Sequence, residues 1–243
     1  MRPDLNIHEI WVYLSGSPLL ALILTLTAYQ VGVMVYERSQ LNPLANPVLI
    51  AVTLIAVTIT VIDMPYAKYF EGAQFVHFLL GSATVALAVP IYKGLPSLRG
   101  RLLPLMAALI GGGVTSIVTA VAIARLLGAD ETIVGGMVAK SLTAPIGMGI
   151  AERIGVSPTL TAVFTVTTGI LGAALGRFVL DALNCREWWQ RGFAIGVASH
   201  GIGTSRAFSV NPEAGAYAGL AMGLHGVIGA VAIPWAVALL RQG

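Results

Sequence analysis

Of the chain's 243 residues, 56% are hydrophobic and only 10% are charged, whereas a soluble domain carries about a quarter charged residues, so the composition is that of an integral membrane protein. Fourteen Lys and Arg against 11 Asp and Glu give a net charge of +3; these cations are scattered through short loops, which argues against a nucleic-acid partner and fits the bias of basic residues toward the cytoplasmic side of a bilayer. One cysteine, Cys185, excludes an intramolecular disulfide and a Cys-rich metal site.

Charge-free runs over residues 11–36, 102–124, 154–176 and 214–240 each supply the roughly 20 apolar residues that cross the hydrocarbon as a helix. Asp4 and Glu9 spoil the basic leader of a removable signal, so the amino terminus reads as a retained helix, from about Trp11 to Val35 and ending at Glu37 and Arg38. A second helix starts after "LNPLANPVLIAV", where Pro43 and Pro47 suit a helix start, and its apolar run from Val48 ends at Asp63. That run is short, so it is either a full span extended through the Asn-Pro stretch or a helix with an unwound entry. "YAKYFEGAQF" reads as interfacial, with Tyr66, Tyr69 and Phe70 beside Lys68 and Glu71. The third span covers residues 75–92, with Gly81, Ser82 and Thr84 near its middle and Pro90 closing it. Lys93, Arg99 and Arg101 follow, the densest basic cluster after a span, which places that loop in the cytoplasm. Counting crossings from there puts Arg38 and the Arg177 to Arg191 region on the same side, with the amino terminus and Lys68 outside.

Two apolar segments are interrupted. "TIVGGMVAKSLTAPIGMGIAERIG" contains Lys140, Ser141, Thr143 and Pro145, and "RGFAIGVASHGIGTSRAFSVNP" contains His200, Gly201, Gly203, Thr204, Ser205 and Arg206. Reading both as re-entrant hairpins, the first entering from outside and the second from inside, keeps the basic loops on one side. Non-helical backbone at membrane depth is tolerated only where protein or a water-filled cavity satisfies it, so paired interruptions point to a binding site. Long helices rich in small residues accompany them, the last with Gly215, Gly219 and Gly223 at spacing four, which lets helix backbones approach closely. The expected fold is therefore an all-α integral membrane protein with about six full transmembrane helices, two re-entrant or broken-helix hairpins and inverted repeats. It forms one membrane domain, residues 1–72 as scaffold helices and 73–243 as a transport unit.

Arg206 and Lys140 carry the chemical argument, because a cation at mid-membrane costs at least about 2.5–3.5 kcal/mol. No Asp or Glu lies in the core of either interrupted segment; Glu152 and Glu213 sit at the edges. A mobile small organic anion is the partner this implies, held by charge-assisted bonds and by donors at broken helix ends. The competing reading has both cations snorkelling to an interface or capping helix C-termini. His200 either serves a carboxylate or a proton, or bonds a backbone carbonyl as a neutral ring. Ser141, Thr143, Thr204 and Ser205, with Gly203 beside them, either line the site or mend broken helical hydrogen bonds. Gly81 to Thr84, including Ser82, could add a third unwound segment. His77 and His225 read as packing residues. No nucleophile elbow and no metal-ligand cluster appear, so no enzyme and no cofactor are expected.

"ANPVLIAV", "YAKYFEGAQFVHFLLGSATVALAVPIYK", "AKSLTAPIGMGIAE" and "ASHGIGTSRAF" resemble, in order and spacing, the LrgB family, also called CidB/LrgB, which has the plant plastidal glycolate/glycerate transporter among its relatives. The resemblance covers nearly the whole chain from about residue 40. Lys140, Ser141, Pro145, His200, Gly203, Thr204 and Arg206 match the family pattern, while Ser82, Ala139, Ala144 and Ser205 depart from it. What the resemblance implies is double. Bacterial members are antiholin-like or holin-like proteins that modulate murein hydrolase activity and cell lysis alongside a small LrgA/CidA-type membrane partner; the plant relative moves two- and three-carbon hydroxycarboxylates. Buried cations without acids agree with the second. The expectation is a bacterial inner-membrane carrier for glycolate, glycerate or pyruvate working by alternating access, with Arg206 and Lys140 as carboxylate anchors, as a homodimer; the rival is the lysis regulator.

Overall fold

The computed structural model describes residues 18–42, 44–86, 92 and 100–242. Asp4, Glu9, the expected helix start at Trp11, Pro43, Pro90, Lys93 and Arg99 lie outside the described residues, as do the side chains of His77 and Thr84. The chain divides into two compact units, 1–86 and 87–243.

The first unit holds α1 (Pro18–Arg38), α2 (Pro47–Val61) and α3 (Tyr66–Ala86). Pro47 opens α2 because its missing N–H would have been unbonded there anyway, and the Asn46 side chain accepts from the N–H groups of Val48 at 2.9 Å and Leu49 at 3.2 Å. The unwound entry is thus the alternative realised, and at 15 residues α2 is about 22 Å long, short of the hydrocarbon thickness. "YAKYFEGAQF" forms the opening turns of α3, so that helix begins at Tyr66, ahead of the span expected from residue 75. One expectation is corrected: Gly81 to Thr84 do not unwind but continue α3, and the exposed Ser82 hydroxyl donates back to the Leu79 carbonyl at 2.9 Å. α1 and α3 are joined where Thr25 Oγ1, which donates to Ala21 O, lies 2.7 Å from the Tyr69 hydroxyl.

The second unit holds α4 (Leu102–Leu126), α5 (Glu131–Met137), α6 (Ala144–Ile154), α7 (Pro158–Ala182), α8 (Trp188–Val210) and α9 (Pro212–Gln242). Starts and stops follow local chemistry. Asp130 caps α5 through Ile133 N–H, Ser157 caps α7 ahead of Pro158, Asn211 caps α9 through the N–H groups of Glu213 and Ala214, and Gly155 ends α6 at φ 73°. Four stretches, Leu19–Arg38, Leu102–Leu126, Pro158–Ala182 and Pro212–Leu239, are long and apolar enough to cross a bilayer. They are the four charge-free runs of the sequence; among the described residues the helices of that length and composition number four rather than six.

Both interrupted segments double back. Between α5 and α6 the helix breaks over residues 138–143, and a Cβ placed on Gly147 would lie 3.3 Å from the Ala139 carbonyl oxygen. Eight residues of straight helix would separate those atoms by about 12 Å, so the chain reverses direction at the break. In α8 the break is the single residue His200, at φ 41° and ψ −131°. Here a Cβ on Gly203 would meet the Ile195 carbonyl oxygen at 3.2 Å, again eight residues back. α9 registers the reversal: Gly192 and Gly196 abut Ala214 and Ala218 in parallel order, while Phe208 and Thr204 abut Gly215 and Gly219 in antiparallel order. The glycines at 215 and 219 therefore serve packing of α8 on α9 within the chain.

Leu105, Leu109, Phe193, Val197, Tyr217, Leu220 and Ala221 form one buried cluster among α4, α8 and α9, and Ala139, Leu142, Ile150, Ile154 and Ile233 form another between the first hairpin and α9. In lipid, such contacts stabilise through close packing rather than transfer from water, which is why small residues lie at the crossings. Polar contacts mark the two ends. The Arg101 guanidinium sits 4.7 Å from the Trp189 ring centroid and donates to the Tyr217 hydroxyl at 3.2 Å, gathering the starts of α4, α8 and α9. Arg191 pairs with Asp181 at 2.7 Å at the end of α7. At the far end of α4, Arg125 pairs with Glu131 at 3.1 Å, at the foot of the first hairpin. The hairpins thus rise from opposite ends of the unit.

Candidate functional site

The two hairpins meet on one face of α7. His200 Nε2 lies 2.9 Å from the Thr165 carbonyl oxygen, and since an oxygen can only accept, that nitrogen carries the proton. The ring fits because residue 169 is glycine: a Cβ there would come within 2.8 Å of His200 Nε2. On the other hairpin, Gly147 leaves room beside Thr161 and Thr165, whose Cγ2 and Oγ1 would each lie 3.4 Å from an added Cβ. α9 closes the other side. His225 Nδ1 donates to the Val197 carbonyl at 3.1 Å, and Gly226 and Gly229 accommodate Ile146 and Leu142 of the first hairpin.

Beside these tips a cavity of about 860 Å³ lies among α4, α7 and the first arm of α8. Its polar residues include Lys140, Ser116, Thr168 and Ser199, with Leu171, Leu175 and Phe193 among its apolar walls, and it extends to Trp189 and Gln190 at the foot of the second hairpin. Lys140 Nζ donates to Ser116 Oγ at 3.0 Å. No Asp or Glu is among the described residues that line the cavity. The ammonium therefore has hydrogen-bond capacity left for an anion.

The other expected residues are distributed as follows. Ser141 is buried at the first break, and Thr143 precedes α6 without capping it through its side chain. Thr204 Oγ1 donates to the His200 carbonyl at 2.7 Å, supporting the backbone just past the turn. Gly203 is a close-approach residue between the hairpin arms. Ser205 is exposed, and Arg206 is half-buried, six residues beyond the turn and not among the cavity's lining residues. Ser82 and Thr84 belong to the first unit. Sequence reading missed Ser116, Thr168 and Ser199, and also Thr161 and Thr165, although hydroxyl and small residues recur on one α7 face at 161, 165, 169, 172 and 176, a three-to-four-residue period visible in the sequence. Among the described residues no group of three or more His, Cys, Asp or Glu is placed to hold a metal ion.

A family model described as the LrgB-like family matches residues 25–239. The holin-like protein CidB of Staphylococcus epidermidis is 29% identical over 215 residues, 88% of this chain and 93% of the relative. The antiholin-like protein LrgB of Bacillus mycoides is 27% identical over 218 residues, 90% and 95% of the two chains, and the uncharacterized protein YxaC of Bacillus subtilis is 31% identical over 223 residues, 92% and 96%. No solved structure matches the chain.

Proposed function

This chain belongs to the LrgB-like family, and from that premise we propose that it acts in the bacterial plasma membrane as a holin-like or antiholin-like regulator of murein hydrolase activity and cell lysis, together with a small LrgA-type membrane partner. The observation that carries this reading is similarity along nearly the whole chain to relatives named for both roles.

A second reading, secondary transport of a small monocarboxylate by alternating access, is favoured by Lys140. Its ammonium lines a cavity whose described residues include no carboxylate, where an organic anion would offset its desolvation. Two further features support it. α4 and α7 are 25 residues each and each precedes a doubled-back segment closed by a glycine eight residues after its facing carbonyl, the pattern of an inverted repeat. Their breaks lie beside the cavity, where unwound backbone is tolerated in a bilayer. On this reading the hairpins are re-entrant, the Arg101 and Arg191 end is cytoplasmic, and Arg206 acts as the second anion contact in another conformation.

Reconstitution into liposomes separates the two. Labelled glycolate, glycerate and pyruvate are offered outside while a large dye is trapped inside, for wild type, Lys140→Met and Arg206→Ala. Dye release by wild type, alone or with its partner, supports the lysis reading. Saturable uptake that Lys140→Met abolishes while the dye stays trapped replaces it with the carrier.

A further inference from the structure

The cavity beside the hairpin tips has two unlike ends. α4 lines it with Pro104, Ala108, Gly112 and Ser116, a stripe at four-residue spacing, and α8 lines it with residues between Trp189 and Ser199. Twelve residues of α4 span about 18 Å and ten of α8 about 15 Å, so the cavity is elongated along the helix axes. One end lies at Trp189 and Gln190, beside Arg101 and Arg191; the other lies at Ser116, Lys140, Thr168 and Ser199.

Polar chemistry is concentrated at the second end. Lys140 Nζ donates to Ser116 Oγ at 3.0 Å, and the buried Ser199 hydroxyl has no hydrogen-bond partner among the described residues. Between the ends the walls are Ala108, Leu171, Leu175, Val179, Phe193 and Val197, whose side chains offer neither donor nor acceptor. Lys140 is the one charged residue among the described residues that line the cavity, so a singly charged anion is matched there. A dicarboxylate or a doubly charged phosphate would bury its second charge unpaired.

Size adds an independent constraint. At roughly 30 Å³ for each water-sized heavy atom, the five heavy atoms of glycolate fill about 150 Å³ of a cavity of about 860 Å³. A two- or three-carbon acid held at Lys140 leaves the apolar length unfilled, whereas an alkyl chain continuing from the carboxylate fills it and gains affinity with each methylene buried.

We propose that this cavity binds a monocarboxylate with a linear alkyl tail, its carboxylate at the Lys140 and Ser116 pair and its tail running beside α7 toward Trp189. The proposal rests on the second reading above, in which Lys140 anchors an organic anion, and names the class of that anion.

The test is thermal unfolding of the purified protein with sodium acetate, butyrate, hexanoate, glycolate and glycerate at equal ionic strength, and with hexanamide as the uncharged control. The expected result is a saturable rise in unfolding temperature, its half-saturating concentration falling about two- to fourfold per added methylene from acetate to hexanoate. Glycolate and glycerate should need more than about tenfold the concentration of hexanoate, and hexanamide should have no effect. The response should persist in Lys140→Arg and vanish in Lys140→Met. Ala194, exposed on the cavity wall five residues before Ser199, gives a second variant: Ala194→Phe should lose the response to hexanoate and keep that to acetate. A Lys140-dependent response equal for all the carboxylates, or strongest for glycolate, would overturn the alkyl-tail proposal and leave the anion anchor standing. A tail-dependent response shared by hexanamide and by Lys140→Met would overturn it as a general amphiphile effect. No Lys140-dependent response to any carboxylate would overturn it together with the carrier reading.

Discussion

His200 Nε2 donates to the carbonyl oxygen of Thr165, 35 residues earlier in the chain, at 2.9 Å. This bond anchors the turning point of the second hairpin to the same α7 residue whose hydroxyl faces the first hairpin at Gly147. A movement of either hairpin tip is thereby felt at one turn of one helix.

The contact depends on the absence of a side chain at position 169. Gly169→Ala would put a methyl 2.5 Å from His200 Cε1 and 2.9 Å from Ile202 Cδ1, so the hairpin must shift. A loss of about 1–3 kcal/mol is expected, the usual range for overpacking. Gly149→Ala, with nothing within 4 Å of its Cβ, is the control and should be neutral or stabilising by up to about 1 kcal/mol. Thermal unfolding of the two variants in one detergent checks this; equal losses would mean the tip is loosely packed.

His200 adopts a backbone conformation that glycine enters freely and L side chains do not, at φ 41° and ψ −131°. His200→Gly and His200→Ala both delete the bond to Thr165, but only the first relieves the backbone. His200→Gly should therefore be the more stable by about 1–2 kcal/mol, the reverse of the usual ranking inside a helix. Denaturant titration of the pair measures the difference, and the ordinary ranking would show that the turn relaxes when the ring is gone.

The two described charged clusters of the second unit should differ in worth. Arg191, its side chain 14% exposed, bonds both Asp181 at 2.7 Å and the Cys185 carbonyl at 2.8 Å, tying α7 to α8. Arg125 and Glu131 are 59% and 77% exposed. Arg191→Met should cost about 1–2 kcal/mol, given that it breaks two bonds made by one charged group, and Arg125→Met less than about 1 kcal/mol. Unfolding at low and high salt tests this, with the Arg125 effect fading as salt rises.

Much of the architecture was legible because it rests on local transfer chemistry. A run without charges partitions into hydrocarbon whatever it touches, so the four long helices lie where the charge-free runs are. Breaks were legible too: Lys140 to Pro145 and the region around His200 interrupt apolar runs with residues that helices in lipid do not carry casually, and both segments fold back there. The start of α3 at Tyr66 was less legible, because the polar residues Lys68, Glu71 and Gln74 interrupt the apolar run there and only continuous backbone bonding shows that the helix already includes them.

By itself, then, the sequence determined the apolar character, the four long apolar helices, the two interruptions and the unusual cation Lys140, since each is a property of a few adjacent residues. Only the tertiary structure decided which groups meet. It set Lys140 against Ser116, made Ser199 line the same cavity, left Arg206 outside that lining, and turned Thr161 and Thr165 into a buried pair facing Gly147. The physical reason is that these contacts need two chain reversals and one shared helix, and the register between elements so distant in sequence is fixed by glycine-sized gaps rather than by any local pattern of polarity.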